Sequence, residues 1–430
     1  MNGRQATAWA GIAVLPWIAR ILHATFRAPG GDAEAVVPYV LLSLACVLVA
    51  AMLDAPPRTS SSSDVIVNAT ATALAVLGMA ATSQVFFPVT LPRFVILATA
   101  ALTFAWLVVF GAWSVISLRR VGAARRVVAV VNPTDAEQLR IDVDEGPWEQ
   151  HFALVDVISS EDRYGEVADI CRSGRATILV LGTRASANPL VLEQAEEMHQ
   201  RGLQVRNVDD FYDEFLGKLP LSALDRVAMM TDVESVHGAY APLKRAIDVA
   251  CAVLGGVVLL VVLPFVLIGN LLGNRGPLWF TQERVGRLGR PFRIWKLRTM
   301  TPGADDISGW TSNDDPRITA FGKVLRRTHL DELPQVLNIF RGDLAVVGPR
   351  PEQVSYVRRL EAALPFYAAR HLVRPGLTGW AQVRYRYAAS EEDAYVKLQY
   401  DLHYVRHESL ATDLRIIWLT IRHIFRDGGR

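Results

Sequence analysis

Five apolar stretches constrain this chain more than any other feature. Four fill the N-terminal quarter, near 8–26, 35–53, 65–87 and 93–117, and a fifth runs from Ile247 to Leu272. A helix needs about 20 apolar residues to cross the hydrocarbon core of a bilayer, where helices and closed barrels alone satisfy their own backbone groups. The hydrophobic share of 51% and the mean hydropathy of +0.22 also point to segments in lipid. The second and fourth stretches read as transmembrane helices. The third carries Asn68, Thr70, Thr72 and Thr82, which suit a helix facing other helices. The first contains Pro16 and Arg20 and is either a fourth spanning helix or an interfacial one. No small-residue cleavage site precedes Arg27, so a cleavable signal peptide is not expected. Arg119, Arg120, Arg125 and Arg126 follow the fourth stretch, which places that side in the cytoplasm, and four crossings return the N-terminus to the same side.

The fifth stretch has positive charge on both flanks, Lys244 and Arg245 before it and Arg275, Arg284, Arg287 and Arg290 after it. By the positive-inside rule both ends are cytoplasmic. Pro264 removes a backbone donor in mid-run and favours a bend. A re-entrant helix over about 246–272 satisfies both observations. The alternative, a fifth spanning helix, would strand the charged C-terminal part outside. Residues 231–240 read as a linker.

Between about 126 and 230 short β-branched runs (Val127–Val131, Ala153–Ile158, Thr177–Leu181, Leu203–Val205) alternate with helical patterns near 162–173 and 188–201. That rhythm predicts a small parallel-sheet α/β domain of the Rossmann type. Its first turn, Asn132-Pro133-Thr134-Asp135, has no glycine and so lacks a dinucleotide fingerprint. A structural or regulatory role is expected there. Cys46, Cys171 and Cys251 have no metal-type spacing and are expected as free thiols. The 45 basic and 43 acidic residues nearly cancel to +2, and no nucleic-acid partner is expected.

The chemistry concentrates in the last two hundred residues. Leu330-Asp331-Glu332-Leu333-Pro334 sets two carboxylates beside Arg326 and Arg327, shortly before Val347-Gly348-Pro349-Arg350-Pro351. Fixed cations are expected to depress both carboxyl pKa values, as suits a nucleophile or metal ligand, and arginine forks match phosphate oxygens. A surface ion-pair cluster is the competing reading for the carboxylate pair taken alone. Phe292-Arg293-Ile294-Trp295-Lys296-Leu297-Arg298-Thr299-Met300 reads as a strand or short helix with one cationic face. Asp248 is expected to pair with Lys244 or Arg245, and Trp279, Trp295 and Trp310 to pack. The apolar stripe of 414–425 suits either a membrane-surface helix or one packed on the domain core.

With Asn338-Ile339-Phe340-Arg341-Gly342-Asp343 and Val373-Arg374-Pro375-Gly376-Leu377-Thr378-Gly379-Trp380-Ala381-Gln382-Val383, this order of motifs closely resembles the bacterial sugar transferase family, monotopic phosphoglycosyl transferases acting on polyprenol phosphate. The layout resembles its larger branch. The resemblance implies a membrane protein with a transmembrane four-helix region (1–118), a degenerate Rossmann-like domain (119–235) and a mostly α-helical catalytic domain (240–430). It implies transfer of a sugar-1-phosphate from a nucleotide diphosphate sugar, a UDP-sugar, to undecaprenyl phosphate, initiating exopolysaccharide, capsule or O-antigen synthesis on the cytoplasmic face of the inner membrane. Asp331 would be the nucleophile and a ligand of Mg2+, and Glu332 its assistant as base or metal partner. Lys296, Arg326, Arg350 and Arg386 would contact substrate. For Arg326 and Arg386 a salt bridge or lipid-headgroup contact is the alternative. Leu263 before Pro264, His329, Ala345 and Arg384-Tyr385-Arg386 depart from common family residues. A homodimer is compatible with the layout. A membrane scaffold or regulator with an inactive transferase domain is the rival function, against which the retained Asp331 and Arg350 count.

Overall fold

In a computed structural model of the chain, the structure describes residues 3–26, parts of 39–47 and 69–78, and residues 92–121, 125–144, 152–222, 226–301, 315–385 and 391–427. The chain divides into two compact units, Met1–Ala123 and Ala124–Arg430.

The first unit contains helices α1 (Gly3–Phe26) and α2 (Arg93–Val121). Within α2, Phe94–Trp113 contains an 18-residue stretch with a mean hydropathy of 2.3, enough by length and composition for a membrane span. Ile12, Tyr39, Cys46, Val76 and Leu107 share one core, so side chains from all four apolar stretches meet. Thr72 is buried there. Much of the second and third stretches lies outside the described residues.

The second unit opens with a four-stranded parallel sheet. Its strands are β1 (Arg125–Val130), β2 (Phe152–Ile158), β3 (Ile178–Leu181) and β4 (Gln204–Asn207), in the order β2-β1-β3-β4. Period-two alternation sends Val127, Ala129 and Val131 into one core and Val128 and Val130 into another. Both faces are therefore covered, which explains why β1 reads as an unbroken apolar run. Helix α3 (Pro133–Asp144) follows β1. Its start is capped by Asn132, whose Oδ1 accepts from the Asp135 N–H at 2.8 Å, in place of a glycine turn. Helix α4 (Val167–Ser173) follows β2, and α5 (Pro189–Gln200) follows β3.

Helix α6 then runs continuously from Arg226 to Gly273 through Pro242 and Pro264. The linker expected over 231–240 is thus helical: Gly238 weakens a helix without ending it, and extending an existing helix is cheap compared with nucleating one. Tyr240–Gly273 contains an 18-residue stretch with a mean hydropathy of 3.0. One face of this segment is bare apolar surface, with Leu254, Leu260, Phe265, Leu271 and Leu272 all more than two-thirds exposed.

The other face is docked along its length on the rest of the unit. Arg245 donates to the carbonyls of Ile339 and Phe340 at 2.6 and 2.7 Å. A Cβ on Gly255 would come within 2.7 Å of Val336, and one on Gly269 would collide with the Phe321 ring. At the far end Asn274 donates to the Arg298 carbonyl at 2.7 Å and accepts from Thr319 at 2.9 Å. Asp248 pairs with neither Lys244 nor Arg245. Its Oδ1 accepts from the Val346 N–H at 2.9 Å, because the two cations are engaged elsewhere.

The remainder is mostly helical. It contains an antiparallel pair, β5 (Trp279–Val285) with β6 (Pro291–Leu297), and a parallel pair, β7 (Ala345–Val347) with β8 (Gly376–Thr378). Helices α7 (Ala320–Arg327), α8 (Val336–Arg341), α9 (Val354–Ala363), α10 (Glu391–Arg406) and α11 (Leu410–Asp427) complete it. Trp279 and Trp295 pack edge to face with ring centroids 6.4 Å apart, and Trp310 lies outside the described residues. Helix α11 is packed on the core through Ile416, Ile417 and Leu419. Ile421 and Ile424 are 40% and 43% exposed, so its apolar stripe is only partly used.

Candidate active site

Asp331 and Glu332 lie on a 3-10 turn, Leu330–Gln335. His329, at φ +55°, reverses the chain between α7 and this turn, a left-handed conformation that histidine visits more readily than most residues. With 3.0 residues per turn, neighbouring side chains on a 3-10 turn point about 120° apart. The two carboxylates accordingly have different surroundings.

Glu332 receives Lys296 Nζ on Oε1 at 2.7 Å and Arg350 Nη2 on the same oxygen at 3.4 Å. Despite burial, Lys296 and Arg350 hold its carboxyl down at about 2. Asp331 has no side-chain hydrogen bond or ion pair among the described residues. Burial first, and then the Glu332 charge, raise its pKa above the ordinary value, with Lys296, Arg326 and His329 opposing. The expectation that cations depress both groups therefore holds for Glu332 and fails for Asp331. The direct ion pairs go to Glu332, which leaves desolvation dominant at Asp331.

Lys296 comes from β6. Alternation along this strand sends Arg293 to one face and Lys296 and Arg298 to the other, so the cations do not form the single face expected. Arg298 is buried, donating to Pro277 O and Met300 O, each at 2.6 Å. The strand is held against α8 by the buried side chain of Asn338, which accepts from Trp295 N at 3.1 Å and donates to Arg293 O at 2.7 Å. Arg326, from α7, donates Nε to Thr299 Oγ1 at 2.9 Å and still contributes its field to Asp331.

Arg350 follows β7. A Cβ at Gly348 would stand 2.8 Å from the Gly376 nitrogen, so only glycine lets the two short strands pair closely enough to present Arg350. Pro349 and Pro351 restrict the backbone on either side. Arg370 fixes the carbonyl: its Nη2 donates to Arg350 O at 2.9 Å and to Asp401 Oδ2 at 2.7 Å. Arg284 reaches Pro351 O at 3.2 Å. The Arg350 side chain is 45% exposed and available to a ligand.

Asp331, Glu332, Lys296, Arg326 and Arg350 are therefore gathered in one place, and Arg386 lies outside the described residues. Sequence reasoning missed the supports, namely Asn338, Arg370 with Asp401, and Arg284. Asn338 sits in a motif already noted, a usable signal, whereas Arg370 and Asp401 are linked only through the fold.

A family profile described as bacterial sugar transferase matches residues 239–427. A UDP-N-acetylgalactosamine-undecaprenyl-phosphate N-acetylgalactosaminephosphotransferase of Aeromonas hydrophila is 39% identical over 191 residues, 44% of this chain and 45% of the relative. A UDP-glucose:undecaprenyl-phosphate glucose-1-phosphate transferase of Escherichia coli (strain K12) is 37% identical over 182 residues, 42% of this chain and 39% of the relative. An uncharacterized sugar transferase, EpsL, of Bacillus subtilis (strain 168) is 39% identical over 191 residues, 44% of this chain and 89% of the relative. The matches to the first two span less than half of those proteins' length. With nearly the whole of the Bacillus protein matched by the segment that carries the Asp-Glu turn, Lys296 and Arg350, this chain belongs to the bacterial sugar transferase family.

Proposed function

We propose that the protein transfers a sugar-1-phosphate from a UDP-sugar to undecaprenyl phosphate through a covalent intermediate on Asp331. The observation that carries the reading is the asymmetry of the two carboxylates. Glu332 is tied to two cations, while Asp331 beside it is unpaired and open to react. An oxygen of Asp331 attacks the sugar-linked phosphorus; the bond to the uridylate oxygen breaks and its electron pair leaves with UMP. A phosphate oxygen of undecaprenyl phosphate then attacks the same phosphorus, breaks the aspartyl-phosphate bond and restores the carboxylate. Splitting the transfer suits two substrates that arrive from different phases. Glu332 orients Lys296 and Arg350 toward the diphosphate, so its assistance is electrostatic. Arg326 adds positive charge beside Asp331, and Arg386 belongs to the same substrate-binding set.

The oxygen donors fit Mg2+: Asp331 offers a carboxylate with no competing partner, and the remaining ligands would be waters and diphosphate oxygens, as this ion prefers. When bound, the ion would neutralise charge developing on the leaving phosphate.

The docking of α6 supports a monotopic placement with both of its ends on the cytoplasmic side. From Arg245 to Asn274 a helix is about 45 Å long, longer than the ~30 Å hydrocarbon core. Both ends are bonded to the same polar unit, so a crossing would drag charged groups through lipid. The bare apolar face would instead lie in the cytoplasmic leaflet, with the N-terminal helices as a multi-pass anchor in the inner membrane. The sheet order β2-β1-β3-β4, covered on both faces, supports the Rossmann-like reading of that part. Initiation of a surface polysaccharide is the role this chemistry serves.

Detergent-solubilised protein given UDP-[14C]sugars and undecaprenyl phosphate is expected to move label into lipid with equimolar UMP. Release of free sugar instead of UMP would refute the proposal. Cysteines introduced at residues 276–289 are expected to resist a membrane-impermeant thiol reagent added from the periplasm, and labelling there would mean a true crossing.

A further inference from the structure

Away from the Asp-Glu turn, three side chains converge where the parallel sheet meets the transferase helices. Asp213 lies in the π-helical turn Tyr212–Leu216 that follows β4. His403 lies on α10, and His407 stands four positions further on, just past its end. That spacing puts both imidazoles on one side of the helix. His407 Nε2 is 2.7 Å and His403 Nε2 3.3 Å from the same oxygen, Asp213 Oδ1. Among the described residues this is the group of histidine, cysteine and carboxylate ligand atoms that lie mutually within 4.8 Å.

We propose that Asp213, His403 and His407 form a binding site for a divalent transition-metal ion of the zinc type, clamping the sheet to the transferase helices. Two imidazoles and a carboxylate, with water as fourth ligand, are a recurrent zinc set. Donors around a tetrahedral ion with bonds near 2.1 Å stand about 3.4 Å apart. His403 and Asp213 already have that spacing. His407 has to withdraw by several tenths of an ångström, which its 42% exposed side chain permits. The plane of His403 is set by Trp380, stacked on it at 5.7 Å and 18°. Trp380 in turn donates Nε1 to the Gly217 carbonyl at 2.7 Å.

Beside Asp213 a cavity of about 320 Å³ is lined by Val205, Arg206, Asn207, Asp210 and Glu214. Asp213 lines it too, so water reaches the carboxylate that would hold the ion.

The test uses the full-length protein in detergent, stripped with a chelator and dialysed. Zinc content is measured after equilibration with zinc, and visible absorption after equilibration with cobalt. The wild type is expected to hold about one more equivalent of zinc than His407→Ala or Asp213→Asn. It should also show the visible bands of four-coordinate cobalt, absent from both variants, and a rise of several degrees in apparent melting temperature with zinc that His407→Ala loses. His199→Ala should behave as wild type. Equal zinc content and equal cobalt spectra in wild type and His407→Ala would overturn the proposal. His407 is at an exposed helix end, so this variant should fold even where Asp213→Asn does not. Ions bound at the Asp331 site are common to all variants and cancel in the comparison.

Discussion

Asp331→Asn is expected to lower sugar-phosphate transfer by on the order of 10³-fold or more, because an amide oxygen forms no phosphoryl intermediate. The same substitution should leave the apparent melting temperature unchanged or raised. The Asp331 pKa lies above its ordinary value in the folded protein, chiefly through burial. Its charge therefore opposes folding at neutral pH, and the opposition fades as pH falls through the raised value. Removing the charge removes that cost.

Glu332→Gln should move stability the other way. Its carboxyl is held at about 2 against an ordinary 4.5, so its contribution is complete above 4.5 and is lost as pH falls toward 2. The loss on substitution is on the order of 2 kcal/mol at neutral pH. Activity, by quantified lipid-linked label, and thermal unfolding in detergent measure both variants. Full transfer by Asp331→Asn would end the covalent mechanism. A lower melting temperature for Asp331→Asn than for Glu332→Gln would reverse the electrostatic assignment.

Lys244→Met is expected to cost on the order of 3–5 kcal/mol, seen as an apparent melting temperature lower by on the order of 5–15 °C. Lys244 is buried and reaches Asp413 Oδ2 at 2.5 Å, Tyr404 OH at 3.0 Å and Glu408 Oε1 at 3.6 Å. Tyr404 OH also donates to Asp413 Oδ1 at 2.7 Å. Lys244 thus lies between two buried carboxylates, and the substitution takes its charge from both. With Tyr240, whose hydroxyl donates to Asp413 Oδ2 at 2.8 Å, Lys244 ties α6 to the helices beneath it. Loss of that anchor should increase proteolysis within 240–250 before the rest of the unit is cut. A variant that melts with the wild type would show that the network is replaceable by packing.

Much of the architecture is legible along the chain because it is local. The strands of the parallel sheet lie within one or two residues of the β-branched runs that announce them, and the length of the fifth apolar stretch is visible by inspection. The boundary at 231–240 was not legible, since a helix that starts for its own reasons continues through residues that look like a linker. Pairing between distant segments was not legible either. Lys296 and Arg350 stand 36 and 18 residues from Glu332, and Asp213 stands 190 or more residues from the histidines it faces.

The amino-acid order by itself determined that the chain has apolar helices of membrane length, a parallel α/β part and an Asp-Glu turn set among cations. The tertiary structure alone decided which carboxylate those cations hold, that both ends of α6 rest on one unit, and that two histidines meet an aspartate at the edge of the sheet. The reason is physical. Helix and strand formation follow from neighbours a few residues apart, whereas ion pairing, desolvation and metal geometry depend on distances of 3–4 Å that only packing sets.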